Sequence, residues 1–380
     1  MRAADNGTNM HDGECMTDTS YAGARYEVAD MQARGPEATD RAFENQVAYC
    51  RDNDAPLTAS ICHALRGLLP QNAGGGPVME RVRNWEGPAL ADALPLRVAG
   101  GLHAACLSGR APYLTGVYEQ GVAPARPVKR ALEEHHTFLL PWLDGPPQTN
   151  EAGRGWAFVA AMAWLAKAGL PPRFKLFELG SSAGINLMLD RYRFELDGFD
   201  RGPADSPMRI APEWRGEALD GAPFAITSTE GCDVAPVDLT DPEQALRLTA
   251  YIWPEFEQRF VRMKAAVAMA RQKPPRVVPM TAAEFVDEVL ARPAQDGTTR
   301  IVMHSVVWQY LSSEEQERIT SAIETAGAKA SGATPLAWVQ LEANRDSHRH
   351  ELSLRYWPGG AEIHWLGTAH PHGAWVEWSG

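Results

Sequence analysis

Four residues near the middle of the chain have the types and spacing to bind a nucleotide-like ligand. Glu178 ends a short apolar run and is followed by Gly180, Ser182 and Gly184. A turn of this kind between a strand and a helix presents backbone N–H groups and the positive end of a helix dipole. Glycine permits a positive φ or the close approach of a ligand. The segment predicts a nucleotide-type loop, with an ordinary strand-to-helix turn as the simpler alternative.

The same residues also fit a second chemistry. Gly180, Ser182 and Gly184 match the Gly-x-Ser-x-Gly nucleophile elbow of serine hydrolases. Ser182 would then be the nucleophile, and a C-terminal histidine such as His364 or His370 would be its base. A hydrolase places several strands ahead of its elbow, whereas the chain before this loop shows helical spacing only. The hydrolase is therefore the weakest of the functional hypotheses.

Composition indicates an ordinary soluble globular protein that binds small molecules. The chain has 380 residues, of which 44% are hydrophobic and 22% charged. A net charge of -12 argues against nucleic acid or an anionic membrane as the main partner. The five cysteines include no Cys-x-x-Cys pair, no signal peptide is visible, and the most apolar stretch is too short to span a bilayer. We expect a cytoplasmic protein and leave its oligomeric state open.

Two histidine pairs resemble halves of a metal site. They are His348 with His350, and His370 with His372. Neither pair has a nearby cysteine or carboxylate set at ligand spacing. We therefore predict no metal and place both pairs in solvent-exposed loops.

The chain divides by pattern into three regions. Residues 1–24 are polar and are predicted to be a disordered tail, and residues 25–145 show the spacing of a helical domain or lid. In residues 146–380, strands alternate with helices, with a hairpin insertion predicted from residues 192–196 and 208–212, and antiparallel strands follow. This order predicts an α/β fold with a doubly wound, mostly parallel sheet and antiparallel C-terminal edge strands. Ligands bind such sheets beyond the carboxyl ends of the strands.

This order resembles the class I S-adenosylmethionine-dependent methyltransferase fold, a Rossmann-like fold whose first strand ends in an acidic residue before a glycine turn. Ser182 stands where that family commonly has glycine. More closely, the chain resembles a bacterial family known only as a domain of unknown function. Four segments carry this resemblance, which covers most of residues 26–378; they begin at Pro147, Glu178, Tyr251 and His304. The resemblance implies a methyltransferase-like fold without an established reaction.

The methyltransferase resemblance implies S-adenosylmethionine as cofactor and assigns residues to its parts. Asp233 is the preferred acid for the ribose, with Glu230 or Asp197 as the alternatives. The residues expected at the cofactor are Glu178, Gly180, Ser181, Ser182, Gly184, Asn186, Asp233, Thr281 and Ala282.

On the substrate side, the fourth strand ends at His304, which could act as a general base for an oxygen or nitrogen nucleophile. A buried histidine bonded within the protein is the alternative for this residue. Substrate contacts are expected from Asn150, Glu151, Arg154, Trp308 and Tyr310. Core packing for the aromatic residues remains equally open, as does a cap by Thr149 or Asn150 on a helix that starts near Glu151. A non-catalytic binding protein on the same fold is the main alternative function.

Overall fold

The computed structural model describes residues 31–344 and 349–380, so the predicted tail 1–24 and His348 lie outside the described residues. Helices alone make up residues 36–143, apart from short 3-10 turns and connections. They are α1 (Pro36–Asp52), α2 (Pro56–Arg66), α3 (Gly76–Arg83), α4 (Leu94–Leu107), α5 (Thr115–Gln120), α6 (Ala125–Glu134) and α7 (His136–Leu139).

The helical region has a hydrophobic core of its own. Proline occupies the first turn of α1, α2, α3 and α4, where its missing N–H breaks no hydrogen bond. Apolar side chains at helical spacing, including Phe43, Leu65, Met79 and Leu102, are fully or almost fully buried in this core. Burial of these faces holds the helices together.

The rest of the chain alternates strands with longer helices. The helices are α8 (Gly155–Lys167), α9 (Pro242–Ala250), α10 (Glu257–Gln272), α11 (Ala282–Ala291) and α12 (Ser313–Gly327). The strands are β1 (Arg173–Leu179), β2 (Arg193–Leu196), β3 (Phe199–Arg201), β4 (Arg209–Ile210), β5 (Glu213–Gly216), β6 (Ala225–Asp233), β7 (Val277–Pro279), β8 (Thr299–Ser305), β9 (Leu336–Asn344), β10 (Arg349–Trp357), β11 (His364–Ala369) and β12 (Trp375–Trp378).

Nine of these strands form one sheet in the order β5-β12-β11-β10-β9-β8-β1-β6-β7. The five strands from β9 to β7 are parallel to one another. Strands β10, β11 and β12 continue the sheet in antiparallel fashion, and β5 pairs in parallel with β12. The prediction of an α/β fold with a mostly parallel sheet is confirmed. The C-terminal strand is not the edge as predicted, because β5 covers it.

The predicted insertion is real, but its pairing was predicted wrongly. Strands β2 and β4 pair in parallel within a separate three-stranded sheet, and β3 is the hairpin partner of β2. Asp197 and Gly198 connect β2 to β3, and Gly198 has a φ of 80°. An Asp-Gly pair suits a two-residue hairpin turn because its residues tolerate positive φ.

Side chains of β1 point alternately to two helical layers. Phe174 and Leu176 pack in the core that contains α8 and α10, whereas Phe177 and Leu179 pack with α11 and α12. Helix α8 is apolar on nearly all sides because it is buried. Within the described ranges, no helix has both the length and the apolar character needed to cross a bilayer.

The helical region covers the carboxyl ends of the parallel strands. Both carboxylate oxygens of Glu255 accept hydrogen bonds from Thr58 in α2, at 2.8 Å from its backbone nitrogen and 2.8 Å from its hydroxyl oxygen. In α4, His103 Nδ1 lies 3.0 Å from the carbonyl oxygen of Ala250. Because β1 lies between β6 and β8, the covered strand ends include the point where strand order reverses, which is where open α/β sheets bind ligands.

Candidate functional site

A cavity of about 990 Å³ lies between the helical region and the carboxyl ends of the parallel strands. One wall comes from the helical region and the segment after α9; its tyrosine, tryptophan and phenylalanine members are Tyr49, Tyr118, Tyr251, Trp253 and Phe256. The opposite wall comes from the loops that follow β1, β6, β7 and β8. The size and the mixed lining suit a small organic ligand.

Glu178 is the most unusual group on the sheet side of this cavity. It is 2% exposed; its Oε1 accepts a hydrogen bond from Asn186 Nδ2 at 2.8 Å, and its Oε2 has no partner among the described residues. Burial raises the pKa of Glu178 to about 8, against smaller opposing effects of Asn186 and Ser181. A buried carboxyl with one unsatisfied oxygen is costly unless a ligand meets it.

The loop after β1 is held by the end of β6. Asp233 Oδ2 accepts a hydrogen bond from the Ser182 N–H at 2.8 Å, while its Oδ1 accepts one from Ala235 at 2.9 Å. This contact fixes Ser182 at a φ of 51°, which is uncommon for a residue other than glycine. Asp233 therefore lines the cavity and also shapes the loop.

The backbone conformation and the packing of the loop require glycine at its two glycine positions. Gly180 and Gly184 have φ values of 62° and 68°, as the turn requires. A Cβ on Gly180 would lie 2.5 Å from Val307 Cγ2, and one on Gly184 would lie 2.8 Å from Val277 Cγ2. The space that was predicted to admit a ligand is thus filled by valine side chains.

The element after the loop is not the predicted helix with free N–H groups. It is a 3-10 helix, Ile185–Arg191, and its first N–H donates to Asn150 Oδ1 at 3.0 Å. Asn150 therefore caps a segment 35 residues further along the chain. A short helix with an occupied first donor offers no anion site of its own.

Of the three acids considered for the ribose, only Asp233 lines the cavity. Glu230 points away from it and pairs with Arg276 at 3.1 Å and Arg292 at 2.6 Å. Asp197 lies in the hairpin turn between β2 and β3 and is not part of the cavity wall.

Thr281 and Ala282 follow β7 and line the cavity as well. Thr281 is the N-cap of α11, and with Glu284 it forms a capping box. The cap fixes the start of this helix beside the ends of β1 and β6.

His304 is completely buried, and both of its ring nitrogens are engaged. Trp338 Nε1 donates to His304 Nε2 at 3.0 Å, and His304 Nδ1 lies 2.6 Å from Glu342 Oε1. Because an indole N–H only donates, Nε2 accepts and the proton must be on Nδ1. The neutral ring is not among the residues that line the cavity, so this geometry gives the predicted base no route to a substrate.

The predicted site residues separate into two groups. Those that line the cavity are Glu178, Gly180, Ser182, Asp233, Thr281, Ala282, Asn150, Arg154 and Tyr310. Those behind its wall are Ser181, Gly184, Asn186, Glu151, Trp308 and His304. Trp308 stacks on His304 with ring centroids 5.1 Å apart, whereas Tyr310 is 77% exposed.

The sequence predicted only part of a cluster of basic residues on the cavity wall. Arg154 was predicted there, but Arg259 was not, and His350, His370 and His372 were predicted to be solvent-exposed; all five line the cavity. The three histidines are partly buried, so the prediction of exposed loops is wrong for them. Strand pairing of β10 and β11 brings these distant segments together, and sequence spacing carries no signal for that.

Burial suppresses protonation of these histidines. It lowers the pKa of His350 and His370 to about 4, and that of His372 well below its ordinary value, with further lowering from nearby arginines. All three rings are therefore neutral at pH 7. In the part of the chain that the structure describes, no three histidine, cysteine or acidic side chains are grouped to hold a metal ion.

The nucleophile required by a serine hydrolase is not activated here. Ser182 Oγ is buried and has no hydrogen-bond partner among the described residues. His364, on β11, packs against Trp164 and Tyr356, whose ring centroids are 5.0 and 5.4 Å from its own. Without a base in hydrogen-bond contact, the arrangement lacks the pair that nucleophilic catalysis requires.

Comparison with known proteins gives one family. Residues 40–378 match the family described as "Uncharacterized protein conserved in bacteria (DUF2332)". No curated protein matches the chain. With nearly all of its described residues inside the match, the chain belongs to this bacterial family of uncharacterised proteins.

Proposed function

We propose that the protein is an S-adenosylmethionine-dependent methyltransferase that acts on an oxygen or nitrogen atom of a small molecule. One observation carries the proposal. The residues that end three neighbouring parallel strands, Glu178 on β1, Asp233 on β6 and Thr281 after β7, line the same cavity at the switch point of the sheet. A nucleoside-containing ligand bound there would span all three strand ends.

The protonation state of Glu178 supports a cationic ligand. With a pKa of about 8, its carboxyl is mostly neutral at pH 7 in the free protein. S-adenosylmethionine carries positive charge, and a positive group close to a carboxyl lowers its pKa. Binding of the cofactor should therefore release a proton from Glu178 into solution.

Methyl transfer itself needs little from the protein beyond position and exclusion of water. Glu178, Asp233 and Thr281 would hold the cofactor, which when bound would supply the methyl group and be left as S-adenosylhomocysteine. The proton that the acceptor atom loses would pass to solvent. Aligning the two reactants supplies most of the acceleration in such a step. The covered cavity provides the enclosed space, and the helical region forms its lid.

Calorimetric titration with S-adenosylmethionine and S-adenosylhomocysteine tests the proposal. At pH 7, we expect micromolar binding and release of close to one proton, seen as a dependence of the observed heat on the buffer's ionisation enthalpy. Glu178→Gln should abolish the proton release and weaken binding of S-adenosylmethionine about tenfold, because the amide cannot become an anion.

The matched control is Glu230→Gln, the same change at another buried acid in the sheet, outside the cavity. It breaks contacts to Arg276 and Arg292 and should lower stability without altering binding or proton release. A folded wild-type protein that binds neither compound would overturn the proposal. Binding without transfer to any acceptor would favour a non-catalytic ligand-binding protein instead.

A further inference from the structure

The basic side of the cavity contains two arginines that each use only one of their hydrogen-bond donors within the described part of the protein. Arg154 is 6% exposed, and its Nε donates to the carbonyl oxygen of Pro371 at 2.7 Å. Arg259 is 8% exposed, and its Nε donates to Glu151 Oε2 at 2.7 Å. No other hydrogen bond of either guanidinium is found within residues 31–344 and 349–380, although both line the cavity.

Positive charge exceeds negative charge around this wall. Arg259 and Arg262 pair with the buried carboxylate of Glu151 at 2.7 and 3.0 Å, and Arg154 is near enough to interact with it electrostatically. Glu342 also faces Arg154, but it already accepts hydrogen bonds from His304 and Val307. In the free protein, with the neighbouring histidines neutral and Glu178 mostly protonated, three guanidinium cations against the carboxylates of Glu151 and Glu342 leave one positive charge.

Such an arrangement is incomplete by itself. Burial of a guanidinium is costly unless its donors are paired, and the remaining N–H groups of Arg154 and Arg259 have no hydrogen-bond partner among the described residues. Their planar donors match the oxygens of a carboxylate or a phosphate. The three neutral histidines beside them add polar ring nitrogens without adding charge.

We infer that Arg154 and Arg259 form an anion-binding subsite that holds the acid group of the methyl acceptor, and that the acceptor is a small organic acid with an apolar or aromatic body. The apolar body follows from Tyr49, Tyr118, Trp253 and Phe256, which line the same cavity. Phe256 lies next to the subsite, with its ring centroid 5.9 Å from the guanidinium carbon of Arg259. The anion subsite stands on the geometry of the chain alone; its role toward a methyl acceptor rests on the proposed function.

Two compounds that differ only in the acid group test this inference. We expect 4-hydroxybenzoate to bind the wild-type protein at least about tenfold more tightly than 4-hydroxybenzamide, measured by calorimetry without cofactor. In Arg259→Met this preference should disappear. In Arg262→Met it should persist, because Arg262 contacts the same Glu151 but does not line the cavity.

Arg259→Lys covers the case in which the methionine variant does not fold. It keeps the charge but loses the planar pair of donors, so the preference for the acid should fall by several-fold. Equal binding of the two compounds to the wild type would overturn the inference without any variant. So would an equal loss of preference in Arg262→Met.

Two further titrations identify the source of the anion. If inorganic phosphate binds to the wild type and the benzoate does not, an organic carboxylic acid is excluded. If Arg259→Met weakens the binding of S-adenosylhomocysteine as much as that of 4-hydroxybenzoate, the subsite holds the cofactor's own carboxylate. The inference about the acceptor then fails. Because the benzoate titration omits cofactor, failure of the methyltransferase proposal would leave its result unchanged.

Discussion

Glu178 shows how one residue at the end of a strand can control a whole site. Its carboxyl is buried by the fold, and Asn186 satisfies only one of its oxygens. The sequence indicated an acid at the end of the first parallel strand. The raised pKa depends on burial, which only the packed helical region and loops create.

This pKa predicts a specific dependence of stability on pH. Between pH 4.5 and 8, the unfolded chain has lost the Glu178 proton while the native protein retains it, so the free energy of unfolding falls as pH rises. Glu178→Gln has no proton to lose. Relative to the wild type, its free energy of unfolding should rise by at least about 1 kcal/mol between pH 6 and 8.

Urea unfolding of both proteins at pH 6, 7 and 8 measures this difference. The difference between the two curves of unfolding free energy against pH excludes the histidines, because both proteins contain them. Their lowered pKa values make the free energy of unfolding rise with pH below 6.5, which is opposite to the effect of Glu178. Parallel curves for the two proteins would show that Glu178 is ionised in the native state.

His304 illustrates the limit of residue-level prediction. Its position at the end of β8 suggested a catalytic base, and its type allowed one. Its tautomer is decided by Trp338, which is 34 residues away in sequence and donates to Nε2. No local pattern around His304 reveals that partner.

At the scale of elements, the loop after β1 depends on contacts from outside its own segment. Asn150 accepts a hydrogen bond from Ile185, and Asp233 accepts one from Ser182. The sequence predicted Thr149 or Asn150 as the cap of a helix near Glu151, whereas Asn150 caps the 3-10 helix that begins at Ile185. Caps are predicted from neighbouring residues, whereas this one acts across the fold.

Asn150→Ala should therefore destabilise the protein by about 1 kcal/mol, because the Ile185 N–H loses its acceptor. Denaturant unfolding gives the value. Thr149→Ala changes the exposed preceding residue and should leave stability within about 0.5 kcal/mol of the wild type. Equal effects of the two changes would contradict the assigned cap.

At the scale of the whole molecule, the cavity exists only because the helical region is fastened over the strand ends. Glu255 binds both the N–H and the hydroxyl of Thr58 and so joins α2 to the segment before α10. Its charge also lies at the N-terminal end of α2, where a helix dipole favours an anion.

Loss of this contact should loosen the lid. Glu255→Ala should lower the free energy of unfolding by about 1–3 kcal/mol and increase hydrogen exchange at the start of α2. Hydrogen-exchange mass spectrometry measures the local effect. Gln258→Ala, at an exposed position three residues later, should change neither the free energy of unfolding nor hydrogen exchange at α2. If exchange at α2 does not respond to Glu255→Ala, other contacts hold the helical region closed.

Most of the elements and their order could be predicted from the sequence, although β3, β5 and the 3-10 helix after β1 could not. Hydrophobic spacing and turn residues act locally, so the helical first part, the parallel strands and the acid–glycine loop could be predicted from neighbouring residues. Loop residues such as Asp233 and Thr281 followed from their places at strand ends.

Which of these residues share a cavity, and which of them are buried or ionised there, depends on the packing of the whole chain. The edge position of β5, the parallel pairing of β2 with β4 and the meeting of Arg154, Arg259 and His372 depend on contacts between segments far apart in sequence. Burial, ionisation and hydrogen-bond satisfaction are properties of those contacts. A histidine at a strand end thus became a buried structural residue, and histidines expected in solvent became part of the cavity wall.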